Sequence, residues 1–181
     1  MGRNATRLLP NNQQNQATFY CQTLNQVPDG FGVLFCLDNN GKSYFYECYW
    51  ENGRPIKGKL STLEGPNNDL VVFKGEFKNF QLSGLGSKKL HNQRVYEGIW
   101  KKGKYHQYGI CYYPGGQRYE GEMLNGQRHG EGYYYYINGL YEFGIYQRDR
   151  EEGIHHLYSA RHRLQQTTKY ARGQVVRIIR Y

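Results

Sequence analysis

Six histidines, four cysteines and fifteen acidic residues are the groups here that could bind a metal, move a proton or attack a carbonyl. They gather most densely near the C-terminal end, where Glu151 and Glu152 precede His155, His156 and His162. Imidazoles beside carboxylates suit metal ligation or acid–base chemistry. However, no Cys/His spacing fits a zinc site, and no nucleophile–base pair can be named. His155 reads instead as a solvated strand end. Cys21, Cys36, Cys48 and Cys111 contain no Cys-x-x-Cys pair and suit small apolar fillers in a reducing compartment. Gly115-Gly116-Gln117 lacks the following helix that a phosphate loop needs, and reads as a turn. The chemistry-bearing residues therefore predict no enzyme, no cofactor and no metal.

What could position such residues is a repeat. Tyr96-Glu97-Gly98-Ile99-Trp100 and Tyr119-Glu120-Gly121-Glu122-Met123 stand 23 residues apart, and the same step reaches Phe73-Lys74-Gly75-Glu76-Phe77 and Glu142-Phe143-Gly144-Ile145-Tyr146. Two earlier copies, spaced at 27, begin at Tyr46 and Phe19. Glycine recurs at the eighth position (Gly53, Gly103, Gly126) and at the twelfth and fourteenth (Gly30/Gly32, Gly84/Gly86, Gly130/Gly132). A fixed period of this size marks a repeat array.

In a strand, alternate residues share a face. Positions 1, 3 and 5 then carry rings around a glycine, as in Tyr96, Gly98 and Trp100, while positions 2, 4 and 6 are mostly charged. That is a half-buried antiparallel strand. The glycine opens a slot for an aromatic ring, which Cys21 and Cys48 fill in the first two copies. The returning strands are aromatic too, including Tyr133-Tyr134-Tyr135-Tyr136, and Pro114-Gly115-Gly116 and Asn138-Gly139 connect the units. Each unit is a hairpin. The predicted fold is all-β, an elongated, twisted, single-layer antiparallel sheet of about six hairpins over residues 19–158, starting near 19, 46, 73, 96, 119 and 142. Residues 159–172 can form a short helix.

These residues resemble the MORN repeat (membrane occupation and recognition nexus), a unit running Tyr-x-Gly-x-Trp-x-x-Gly-x-x-x-Gly-x-Gly. The resemblance spans roughly 19–158 and is strongest at Tyr96–Gly103 and at Tyr119–Gly121 with Gly126, Gly130 and Gly132. It implies a scaffold, since such arrays occur in radial-spoke heads of cilia and flagella, in apicomplexan cytoskeleton, in junctional membrane proteins and beside lipid-kinase domains. A single-layer ribbon leaves its aromatic face wanting a cover. Phe73, Phe77, Tyr96, Trp100, Tyr119 and Tyr146 are accordingly the candidate docking face for a helix or extended peptide of a partner protein.

The formal charge of +9 sits at the ends. Residues 1–18, with the tract Asn11–Gln16, carry +2, and the tail 159–181 carries +6 with no acid beyond residue 160. Arg161, Arg163, Lys169, Arg172, Arg177 and Arg180 are candidate contacts to tubulin or anionic lipid, screened by salt. Nucleic acid is disfavoured, because the bases lie outside the aromatic array. Val175–Tyr181 is too apolar for a free tail and is expected to dock on the sheet or on a neighbour. Met1-Gly2-Arg3-Asn4-Ala5-Thr6 matches the N-myristoylation pattern, which is short enough to arise by chance. The combined expectation is a structural, protein-docking component of an axonemal or other microtubule-based cytoskeletal assembly, with a cytoplasmic location in a cilium or flagellum. A peripheral membrane or phosphoinositide-binding module is the alternative.

Overall fold

The computed structural model describes residues 4–8, 17–91 and 93–181, and every regular element among them is a β-strand. The Asn/Gln tract at 11–16 and the first residues of the myristoylation pattern lie outside them. Two compact units divide the chain, residues 1–94 and 95–181. The first contains β1 (Asn4–Leu8), β2 (Ala17–Leu24), β3 (Val27–Leu37), β4 (Ser43–Glu51), β5 (Arg54–Glu64), β6 (Asp69–Lys78) and β7 (Gln81–Leu90). The boundary falls within β8 (Gln93–Lys101), most of which belongs to the second unit with β9 (Lys104–Tyr112), β10 (Arg118–Leu124), β11 (Gln127–Tyr135), β12 (Tyr141–Gln147), β13 (Arg150–Tyr158), β14 (Leu164–Ala171) and β15 (Gln174–Arg180). Within each unit successive strands pair antiparallel in chain order, and neither meander closes on itself.

Turn chemistry sets the period. Each repeat hairpin closes on two residues of positive φ: Asn25-Gln26, Asn52-Gly53, Asn79-Phe80, Lys102-Gly103, Asn125-Gly126, Arg148-Asp149 and Arg172-Gly173. Such turns match the right-handed twist of the flanking strands and favour Asn and Gly, which tolerate left-handed backbone. The last of them lies 24 residues beyond Arg148-Asp149, so the C-terminal segment is a seventh, degenerate hairpin. This corrects the helix expected at 159–172. Thr167, Thr168, Val175, Val176, Ile178 and Ile179 are β-branched, and that local preference joins an existing sheet edge. Val175–Tyr181 does dock on the sheet, but through its backbone ladder to β14 rather than across a face.

The predicted alternation holds along the leading strands. The burial sequence in β10 reads exposed, buried, half-buried, buried, exposed, buried, exposed, with Tyr119, Gly121 and Met123 inside. The second copy differs at its fourteenth position because its returning strand loops out one residue fewer. Cys48 therefore meets Gly58 in register, where Gly98 meets Gly109 further on.

Candidate docking surfaces

Phe77, Tyr96, Trp100, Tyr119 and Tyr146 form the interior of the two units, each no more than 6 % exposed. Only Phe73 of the expected docking face is half-buried, with the Lys88 ammonium 5.3 Å from its ring centre. The expectation of an open aromatic face is thus corrected. The rings cover one another. In the first unit Phe80 swings from its turn over Tyr46 (5.9 Å) and Trp50 (6.0 Å), and the Trp50 indole N–H donates to the Gly32 carbonyl at 3.1 Å. In the second, Tyr105 stacks on Tyr96 at 3.8 Å and closes edge-on against Trp100 at 4.8 Å.

The glycine slot works as predicted, with the ring coming from the same strand. Tyr96 lies over Gly98 and Gly109, and its hydroxyl donates to the Ile99 carbonyl at 3.0 Å. Tyr119 lies over Gly121 and Gly132 and donates to the Glu122 carbonyl at 2.9 Å. A Cβ on Gly132 would stand 2.3 Å from the Tyr119 ring, so the slot admits no side chain.

The next hairpin departs from this rule, and it corrects the reading of His155. That residue is wholly buried, not a solvated strand end. Its ring occupies the slot over Gly144, Nε2 stands 2.9 Å from the Ile145 carbonyl, and Nδ1 stands 3.1 Å from Glu142 Oε1. A carbonyl only accepts, so Nε2 carries its proton, and the carboxylate favours a second proton on Nδ1. Burial opposes that charge, but the Glu142 carboxylate and the Ile145 carbonyl outweigh it and hold His155 above its ordinary value. Burial likewise pushes Glu142 up, yet the imidazolium and the Tyr136 hydroxyl (2.8 Å) hold it below its ordinary value. Beside this pair, Tyr113, Tyr134, Tyr136, Tyr146, Arg128 and Glu151 line an open hollow of about 350 Å³. The Arg128 guanidinium lies 4.6 Å from the Tyr146 ring centre and pairs with Asp149 (3.5 Å) and Glu151 (3.7 Å).

The reverse face of the second unit holds what the sequence reading missed. In register across β9 to β13 run Tyr112, Arg118, Tyr135, Tyr141 and Tyr158. Arg118 caps Tyr135 at 4.2 Å, Tyr135 and Tyr141 stand 5.9 Å apart, and Tyr141 stacks on Tyr158 at 5.2 Å. Tyr133 lies against Phe143 at 4.8 Å in the next row and is itself 39 % exposed. The reverse face was expected to be mostly charged from the leading strands alone. The tyrosines of the returning strands land alternately on both faces, and their odd-even placement was the available signal.

The basic tail residues are all exposed and lie on one hairpin and its entry loop. Arg161 and Arg163 stand in the loop before β14, Arg172 in the last turn, and Lys169 directly opposite Arg177. Among the described residues no group of three His, Cys, Asp or Glu side chains is placed to hold a metal.

A family model of the MORN repeat matches residues 96–118 and 119–141. The chain contains MORN repeats at these positions. The matched segments are the two copies in which a tyrosine fills the slot, and the hairpin that follows them keeps the slot while changing its occupant to His155. MORN repeats are a non-catalytic family of protein- or lipid-binding modules. None of the curated proteins matches the chain.

Proposed function

We propose that this protein is a non-enzymatic scaffold that holds partner proteins in a large assembly, through the reverse face of its second unit. The reading is carried by the row Tyr112–Arg118–Tyr135–Tyr141–Tyr158, a ring-and-guanidinium surface of half-buried tyrosines around an exposed Arg118. Tyrosine and arginine are enriched where protein interfaces concentrate their energy. Glu97, Glu120 and Glu131 share that face, which favours a protein partner over an anionic membrane. The proposed setting is cytoplasmic and cytoskeletal, an axonemal complex of a cilium or flagellum, and rests on the resemblance to radial-spoke arrays.

A photo-crosslinker placed at Tyr141 or Tyr158 in ciliated cells tests this reading. The expected products are adducts with components of a microtubule-based complex, reduced at least tenfold by Arg118→Glu on the same face. Crosslinks no more frequent than from the buried position Tyr119 would overturn the docking face. Adducts to lipid, with salt-sensitive binding to phosphatidylserine vesicles, would replace it with the membrane-tether reading.

A further inference from the structure

The hollow beside the His155–Glu142 pair lies on the face opposite the tyrosine row, since Tyr134 alternates with Tyr133 and Tyr135 along β11. Three of its rings stand at angles to one another, as walls rather than as a stack. Tyr113 and Tyr134 are tilted by 35° with centres 5.8 Å apart, and Tyr136 meets Tyr134 at 64° and 4.9 Å. A fourth ring already holds a cation, because the Arg128 guanidinium lies 4.6 Å from the centre of Tyr146. Among the described residues no lysine or arginine is placed over Tyr113, Tyr134 or Tyr136.

Charge selects a positive ligand. Two positive groups, Arg128 and His155, stand here against three carboxylates, Glu142, Asp149 and Glu151. The ring faces add negative potential of their own. The carboxylates are already engaged, Glu142 by His155 and Tyr136, Asp149 and Glu151 by Arg128. An unmodified lysine ammonium is strongly hydrated and needs acceptors to replace its water. A methylated ammonium has little hydration to lose and is held by ring faces instead. The volume of about 350 Å³ is at the small end for ligand sites and suits one side chain. A choline phospholipid would bring its phosphate close behind the ammonium, within reach of these carboxylates. A lysine side chain follows its ammonium with an uncharged stem.

We propose that this hollow binds a trimethylated lysine side chain of a partner protein, with Tyr113, Tyr134 and Tyr136 as its walls. It uses no residue of the tyrosine row, so it stands or falls apart from the docking face proposed above.

The probes are three heptapeptides of sequence Ser-Gly-Gly-Lys-Gly-Gly-Ser, with the lysine trimethylated, unmodified, or replaced by the neutral analogue that has carbon in place of the ammonium nitrogen. The trimethylated peptide should bind about tenfold more tightly than either of the others. Tyr134→Phe retains the ring and should keep that preference. Tyr134→Leu and Tyr113→Leu should each abolish it with the circular dichroism unchanged, and if one fails to fold the other carries the test. No binding of the trimethylated peptide would end the proposal. Equal binding of the neutral analogue would overturn it, since shape alone would then explain the affinity. Equal binding of unmodified lysine would overturn it too, by reducing the site to an ordinary ion pair. A preference kept in the leucine variants would remove the site from the hollow. Competition by phosphatidylcholine vesicles, where phosphatidylglycerol vesicles have no effect, would give the hollow to a lipid headgroup instead.

Discussion

The hairpins β10–β11 and β12–β13 are one repeat apart and solve the same packing problem from opposite strands. In the first, Tyr119 on the leading strand lies over two glycines and donates to the Glu122 carbonyl. In the second, the tyrosine position holds Glu142, the second glycine position holds His155, and the imidazole contacts the carbonyl of Ile145, 23 residues beyond Glu122. Slot, ring and carbonyl anchor persist; only the strand that supplies the ring changes. The repeated object is therefore a ring-sized gap with a hydrogen-bond acceptor at its end. The change also replaces a neutral phenol by an ion pair, which makes one hairpin answer to pH.

The largest expected effect comes from emptying or blocking the slot. Tyr119→Ala should cost ~3–5 kcal/mol in urea unfolding, as for other large buried rings. Gly132→Val should be comparably harmful, at about 3 kcal/mol, because its Cβ meets the ring and the backbone strands leave no room to retreat. If Gly132→Val were neutral, the slot would not be the determinant of the repeat.

The swap itself is next in size. Glu142→Tyr places two rings in one slot, and His155→Gly empties it while stranding a buried carboxylate, so each alone should cost roughly 2–4 kcal/mol. Together they rebuild the arrangement of β10–β11, and the double variant should recover most of the loss, a coupling of about 2–3 kcal/mol in a double-mutant cycle. Additive losses would mean that the two hairpins are not equivalent.

The pH dependence follows from the direction of the two shifts. His155 is raised when folded, so its contribution is complete below its ordinary value of 6.5 and is lost as pH rises through the folded value. Glu142 is lowered when folded, so its contribution is present above 4.5 and is lost as pH falls through its depressed folded value. Arg128, Glu151, Tyr136 and Tyr170 face the pair from β11, β13, the loop after β11 and β14, and all are kept in the double variant. The denaturation midpoint of the wild type should therefore fall above pH 6.5 relative to Glu142→Tyr/His155→Gly. Parallel pH profiles for the two proteins would show that the ion pair contributes nothing to folding.

How far the sequence reached depended on whether a signal was local. The period, the slot and the inside position of Tyr96, Trp100 and Tyr119 follow from glycine spacing and alternation, because backbone sterics and strand geometry are local rules. Where the cover for these rings comes from was not legible, since Phe80 and Tyr105 reach them only after the turns bring the chain back. His155 was misplaced because its partner, Glu142, lies 13 residues earlier and looks like a lapse in the repeat. The seventh hairpin was missed for want of a ring at its first position, where Gln166 stands, although Tyr170 and Arg172-Gly173 kept their places.

The turns offer the smallest and finest comparison. Asn125-Gly126 closes β10–β11 with the two residue types that tolerate positive φ best, at 53° and 91°. Arg148-Asp149 closes β12–β13 at 52° and 67°, where both residues carry a Cβ against the backbone. Asp149 is held in place because its carboxylate accepts the Arg128 amide at 2.8 Å, so replacing it would remove more than strain. The Arg148 side chain is exposed, which makes it the cleaner position. Arg148→Asn should stabilise the protein by about 0.5–1 kcal/mol, and Asn125→Ala should destabilise it by about 1 kcal/mol, both read from urea midpoints. A gain at residue 148 that matched the loss at 125 would show that the two hairpins differ in their slot and not in their turn. If Arg148→Asn gave no gain, the ion pair of the second hairpin would have to impose its turn geometry from within.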